Sequence, residues 1–174
     1  MKNKIIAGIV FILFSTLLYA QNKANCNACV FLDPSFKGAK ALYDKPNGKI
    51  IKYLKHNLKE EFYINLDILD RIDSMFYVRA YCDFDGTTLK GWIIKDSLIG
   101  IYSRGYKGNP LILYYQPNLA SKKICSLNAN IFAMYIVLDC IGKWLKVKAT
   151  YKGKFYIGWM SSDMQCCNVY STCS

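Results

Sequence analysis

The chain has 174 residues, 53% of them hydrophobic, and carries 23 lysines and arginines against 12 acidic residues, a formal charge of +11. Setting aside the first 20 residues leaves enough for one ordinary domain or two small ones, and too little for an additional catalytic domain. The basic excess favours acidic partners or anionic surfaces by steering and carries no information about fold.

Lys2 and Lys4 precede an apolar run from Ile5 to Phe14, and a second apolar stretch ends at Ala20 before Gln21, Asn22 and Lys23. This is the pattern of a secretory signal peptide, with cleavage expected after Ala20. The run is shorter than the roughly 20 apolar residues a membrane span needs. The expected location is therefore secreted or periplasmic, with no transmembrane segment in the mature chain. A retained N-terminal anchor is the competing reading, because Leu18 is larger than the small residues preferred three positions before a cleavage site. Cys26 lies too far beyond the apolar run to be a lipidated cysteine.

All eight cysteines (26, 29, 82, 125, 140, 166, 167 and 173) follow this signal, as expected if an oxidising compartment lets them pair. Residues 21–38 form an N-terminal segment holding Cys26-Asn27-Ala28-Cys29. A C-x-x-C pair can be redox-active when a helix N-terminus or cation lowers one thiol's pKa, but no βαβ pattern follows this one. Structural pairing is the favoured reading of both thiols. Connectivity is open; the bridges ranked first are Cys166 to Cys173, or one of these to Cys140.

Beyond the segment, the sequence repeats itself. Leu42, Tyr43, Pro46 and Asn47 are answered by Leu113, Tyr114, Pro117 and Asn118 at an offset of 71. Phe76-Tyr77-Val78-Arg79-Ala80 is answered by Leu145-Lys146-Val147-Lys148-Ala149 at an offset of 69. Gly86, Gly91, Trp92 and Asp96 are answered by Gly153, Gly158, Trp159 and Asp163 at an offset of 67. The copies span residues 39–102 and 110–174, with 103–109 as the linker. Each reads as short strands. Asn47-Gly48 is a turn before a strand at Lys49 to Leu54, and Leu58 to Asp70 is read as a strand because its apolar residues mostly alternate. Met75 to Tyr81 and Leu145 to Ala149 are half-buried strands, each followed by a hairpin turn, Asp83 to Gly86 and Lys152-Gly153. Gly91-Trp92 and Gly158-Trp159 open the returning strands, with both tryptophans expected in the core.

This order, Leu-Tyr-x-x-Pro-Asn, a strand, a long middle segment, a Gly turn and then Gly-Trp, resembles the bacterial SH3-like (SH3b) domain. The tail from Asp163 to Cys173 is similar to the endings of uncharacterised secreted SH3-like proteins, with Cys167 an extra thiol. The resemblance implies an all-β fold of two tandem small SH3-like β-barrels that recognise peptides, peptidoglycan or other surface ligands, and it implies no chemistry. Fold analogy does not fix function.

The residues themselves point the same way. His56, the only histidine, sits between Lys55 and Asn57 and reads as solvated, which leaves a Ser or Cys nucleophile without a base and a zinc site without ligands. Asp67, Asp70 and Asp73 read as a solvated turn or strand edge. No catalytic residue, metal or cofactor is expected. The binding candidates are Tyr43, Tyr114 and Tyr115, of which one of the last two should be buried, with Lys122, Lys123, Lys152 and Lys154; Lys143 lies in the same copy. Residues 101–174 hold nine basic residues against two acids, Asp139 and Asp163, so the second copy is the expected binder. The expected partner is cell-wall or envelope polymer, or a protein or peptide, and not nucleic acid. The alternative function is a thiol-disulfide redox protein using Cys26 and Cys29.

Overall fold

The computed structural model describes residues 25–82, 86–104, 110–127, 133–171 and 173. The expected signal peptide at 1–20, the expected linker from 105 onward and the expected hairpin tip at 83–85 lie outside the described residues.

The described residues form thirteen strands, many with alternating burial: β1 (Ala28–Leu32), β2 (Lys40–Tyr43), β3 (Ile50–Leu54), β4 (Asn65–Arg71), β5 (Met75–Tyr81), β6 (Thr88–Ile94), β7 (Ile99–Ser103), β8 (Leu111–Tyr114), β9 (Lys123–Leu127), β10 (Tyr135–Ile141), β11 (Trp144–Tyr151), β12 (Lys154–Met160) and β13 (Gln165–Cys166). One 3-10 turn, Ser162–Met164, is the sole helical piece among the described residues. Within Leu58 to Asp70 the strand begins at Asn65; Asn57 bridges Phe62 around a turn, and Ile64, Leu66 and Ile68 then alternate into the core. The two-residue turn Lys152-Gly153 has positive φ at both positions, 50° and 73°, the geometry that matches the twist of a tight hairpin. It puts Tyr151 opposite Lys154 and so sets the register of the whole β11–β12 pair.

The strands form one antiparallel sheet that does not close, in the order β3-β2-β6-β5-β4-β1-β7-β10-β11-β12-β8-β9, with β13 added to β7. Residues 40–94 contribute β3-β2-β6-β5-β4 and residues 111–160 contribute β9-β8-β12-β11-β10, the same order in each half. Between them stand β1, from the N-terminal segment, and β7. β1 pairs with both β4 and β7, and β7 continues to β10. Ser103, read as the first linker residue, ends β7.

The core is continuous across the halves: Leu42, Leu66, Val78 and Ile93 from the first join Leu113, Val137, Leu145 and Met160 from the second, with Val30, Leu32, Ile99 and Ile101 between. At roughly 1.5–3 kcal/mol per fully buried aliphatic side chain, one shared core supports halves that would be marginal alone. The two repeated tryptophans lie on the other face of the sheet, one of them buried as expected. Trp92 is half-buried on the opposite face, flanked across strands by Tyr43 and Tyr77, and Trp159 is buried on that same outer side against Tyr114. Strand alternation decides this: Gly91, Ile93, Gly158 and Met160 take the inward positions, so each tryptophan must face out.

Two disulfides fasten the tail. Cys166–Cys173 closes a short loop, and Cys29–Cys167 ties β1 to the residue after β13. Cys140 is bridged to neither Cys166 nor Cys173; its neighbour is Cys26. Tyr170 extends the attachment to the first half. Its hydroxyl donates to the Glu61 carbonyl at 2.6 Å and accepts from the Tyr63 N–H at 3.3 Å, and its ring meets Tyr63 edge-on. Tyr170→Phe is expected to lower stability by about 1 kcal/mol in a urea titration, the ordinary worth of a hydrogen bond with its ring contact kept.

Candidate functional site

The turn at Lys152-Gly153 and the alternation of β11 fix which side chains share the outer face of the second half. Lys146, Lys148 and Thr150 on β11 lie across from Trp159, Ile157 and Phe155 on β12. Phe155 is 67% exposed and Ile157 48%, while Val147, Ala149 and Met160 occupy the buried side. The Lys148 ammonium stands 4.4 Å from the Phe155 ring centre, and Lys152 stands 5.3 Å from that of Tyr151. A cation over the ring face is attracted by its quadrupole. At one end of the strip, Tyr114 and Trp144 meet edge to face at 5.6 Å beside Trp159. The strip thus runs from a packed aromatic cluster to an exposed phenylalanine, with lysines along one side.

The sequence-derived candidates divide in two. Tyr114 is 7% exposed and packs under Trp144, whereas Tyr115 is 68% exposed and opens the loop closed by its N–H to the Lys122 carbonyl. Lys122 and Lys123 lie exposed at that loop and the start of β9; Lys152 and Lys154 lie exposed at the hairpin tip. Tyr43 belongs to the other half, beside Trp92. None of Lys122, Lys123, Lys146, Lys148, Lys152 and Lys154 makes an ion pair among the described residues. One of the second half's two acids, Asp139, is turned to Arg71 and Lys95 of the first. Lys146, Lys148, Phe155 and Ile157 were missing from the sequence candidates. Their signal was present: the Lys-Val-Lys-Ala alternation combined with a two-residue turn places all four on one face.

His56 departs from the solvated reading. It is 5% exposed; the Ile64 N–H donates to Nδ1 at 3.0 Å, and Nε2 donates to the Asp33 carbonyl at 2.9 Å. Both ring nitrogens are consumed by backbone. It borders a cleft of about 290 Å³ lined by Phe36, Lys37, Lys55, Asn57, Leu58 and Lys59, but in this arrangement it can act there neither as base nor as ligand. Asp67 accepts from the Tyr81 hydroxyl at 2.7 Å and from Arg79 at 3.4 Å, an arrangement that raises the Tyr81 pKa through that hydrogen bond first, with burial adding to it. Among the described residues no three His, Cys, Asp or Glu side chains are grouped to hold a metal ion. No helix among them is long and apolar enough to cross a membrane.

Cys26 and Cys29 do not face each other as a redox pair: Cys29 is bridged to Cys167, and Cys26 turns to Cys140. Comparison with known proteins finds no family model and no curated protein that matches the chain.

Proposed function

We propose that the protein is an exported, non-catalytic binding module of two tandem SH3-like units, which holds an anionic cell-envelope polymer or an acidic peptide on the outer face of its second unit. The observation that carries this reading is the strip of Phe155 and Ile157 exposed beside Lys146 and Lys148. Unpaired cations next to exposed aromatic surface suit a ligand with both charge and flat apolar groups, such as a glycan chain bearing acidic substituents. The first half is close to neutral, residues 39–100 carrying ten basic residues against nine acidic ones; Tyr77 stands at the position equivalent to Lys146, and Arg79, equivalent to Lys148, is paired with Asp67.

Retention on purified peptidoglycan and on anionic polysaccharide, at low and high salt, tests the reading. Lys146→Glu with Lys148→Glu is expected to weaken binding about tenfold at low salt, equivalent to roughly 1.4 kcal/mol, and the difference should shrink as salt screens the exposed charges. Phe155→Ala should weaken binding at both salt concentrations. Lys52→Glu, on the edge strand of the first half, should leave it unchanged. A wild-type protein retained at neither salt concentration, or a double variant retained like the wild type, would overturn the proposal.

A further inference from the structure

Four thiols remain outside the two disulfides, and two of them meet. Cys26 is 4% exposed and Cys140 is fully buried; the Cys26 thiol donates to the Cys140 carbonyl at 3.2 Å, and the Cys140 thiol donates to the carbonyl of Gly142, the residue that Cys26 bridges. The backbone holds them there. The Asn27 N–H donates to the Gly142 carbonyl at 2.7 Å and the Gly142 N–H donates to the Asn25 carbonyl at 3.0 Å, so Cys26 is bracketed beside β10 by bonds on either side. Cys125 on β9 and Cys82 past the end of β5 stand elsewhere in the sheet.

We propose that Cys26 and Cys140 are the site of a third disulfide, formed by exchange with a low-molecular-weight disulfide, in which Cys26 attacks first and Cys140 resolves. The Cys26 thiolate attacks one sulfur of the incoming disulfide, forming a mixed disulfide and releasing one thiolate. Cys140 then loses its proton and attacks the Cys26 sulfur, releasing the second thiol. The two protein thiols are oxidised to one cystine while the small disulfide is reduced to two thiols, so atoms and electrons balance.

Position assigns these roles: Cys26 is 4% exposed on a segment held to Gly142 by two backbone hydrogen bonds, whereas Cys140 is fully buried within β10. The Cys26 pKa is lowered, first by its interaction with the Cys140 thiol and then by the Arg71 guanidinium working against burial; the Asp139 carboxylate opposes it weakly. The Cys140 pKa is raised by that same interaction and by burial. The thiolate is the nucleophile in exchange, so the thiol that ionises more readily leads. Entry of the small disulfide needs only the segment Asn25 to Asn27 to lift from Gly142, a local opening across two backbone hydrogen bonds rather than global unfolding. Once formed, the bridge fastens the start of β1 to the second half, as Cys29–Cys167 fastens its middle to the tail.

The proposal is independent of the binding function, and so is its test. The full exported chain, folded and then incubated with oxidised glutathione, is alkylated under denaturing conditions and mapped by mass spectrometry. A Cys26–Cys140 cross-linked peptide, two hydrogens lighter than the sum of its parts and absent after reduction, is expected. Cys140→Ser should instead accumulate one glutathione on Cys26, and Cys26→Ser should leave Cys140 largely unmodified. Alkylation of both Cys26 and Cys140 in the oxidised wild type, or Cys26 joined to another cysteine, would overturn the pairing. Glutathione accumulating on Cys140 in Cys26→Ser as fast as on Cys26 in Cys140→Ser would overturn the order of attack. The wild-type map decides the pairing even if a variant fails to fold.

Discussion

Gly91→Ala is expected to cost the protein about 3 kcal/mol, the upper part of the range for overpacking a filled site. A methyl group at Gly91 would stand 2.7 Å from the Leu42 Cγ and 2.7 Å from the Tyr43 carbonyl oxygen, both on β2. Leu42 is fully buried, and the Tyr43 oxygen belongs to backbone, so neither yields without moving β2 away from β6. Tyr43 is also the residue that pairs with Trp92, so the displacement would open the pairing of β2 on β6. The equivalent Gly158 is less tight, at 2.9 Å from the Leu113 Cβ, 3.0 Å from the Ile124 Cδ1 and 3.1 Å from the Tyr114 carbonyl oxygen. Gly158→Ala should therefore cost less, about 2 kcal/mol: Ile124 can turn aside, but the Leu113 Cβ and the Tyr114 carbonyl are fixed to β8 and must shift slightly. Urea unfolding followed by tryptophan fluorescence gives both numbers. Combining Gly91→Ala with Leu42→Ala, which removes the Cγ, should cost less than the sum of the two single changes, but only in part, since the carbonyl remains. A Gly91→Ala protein within about 0.5 kcal/mol of wild type would mean that β2 has room to move.

That contact gives a physical reason for the Gly-Trp pair in both copies of the repeat. The glycine admits the first strand of each half, and the tryptophan, one residue on, must then point outward. Strand phase, set by the glycine, turns both tryptophans to the outer face; Trp159 is buried there, as its size and apolarity predict, while Trp92 is only half-buried. Turn chemistry was more legible: Lys152-Gly153 gave the hairpin, and from its register the binding face follows. The central position of β1 was not legible. Ala28 to Leu32 is a short apolar run beside a C-x-x-C motif, and nothing local says that it will pair with β4 on one side and β7 on the other. That double pairing joins the halves into one sheet that does not close, a join that the repeat alone does not announce. His56 was misread for a related reason. Its neighbours Lys55 and Asn57 are those of a loop, but its partners are backbone groups of Asp33 and Ile64, brought to it by the fold. The cysteines divide in the same way: the short loop from Cys166 to Cys173 was within reach of spacing, whereas Cys29–Cys167, separated by 138 residues, was not.

Asp139→Ala is expected to destabilise the chain by about 2–3 kcal/mol, through charge rather than packing. Asp139 sits on β10, yet its partners belong to the first half: Arg71 Nε at 2.6 Å from the end of β4, and Lys95 Nζ at 3.4 Å just past β6. Lys95 is also held over the Phe76 ring at 4.6 Å. The Lys95 side chain is 12% exposed, Arg71 23% and Asp139 31%, so the cluster lies between a surface pair and a buried one. Removing one partner of a buried pair costs about 3–5 kcal/mol because an uncompensated charge remains, while exposed pairs are worth about 1 kcal/mol or less; partial exposure places this cluster between them. Here the alanine leaves two cations facing the same gap. Asp139→Asn keeps the volume and an acceptor oxygen and loses the charge, so it should cost about half as much. In a cycle with Lys95→Met, the coupling to Asp139 should be about 1 kcal/mol, and it should fall at high salt as the exposed side of the cluster is screened. If the alanine variant instead unfolds at the wild-type urea midpoint, Arg71 and Lys95 are satisfied without Asp139, and this ion cluster adds nothing to what the shared core and central strands already hold.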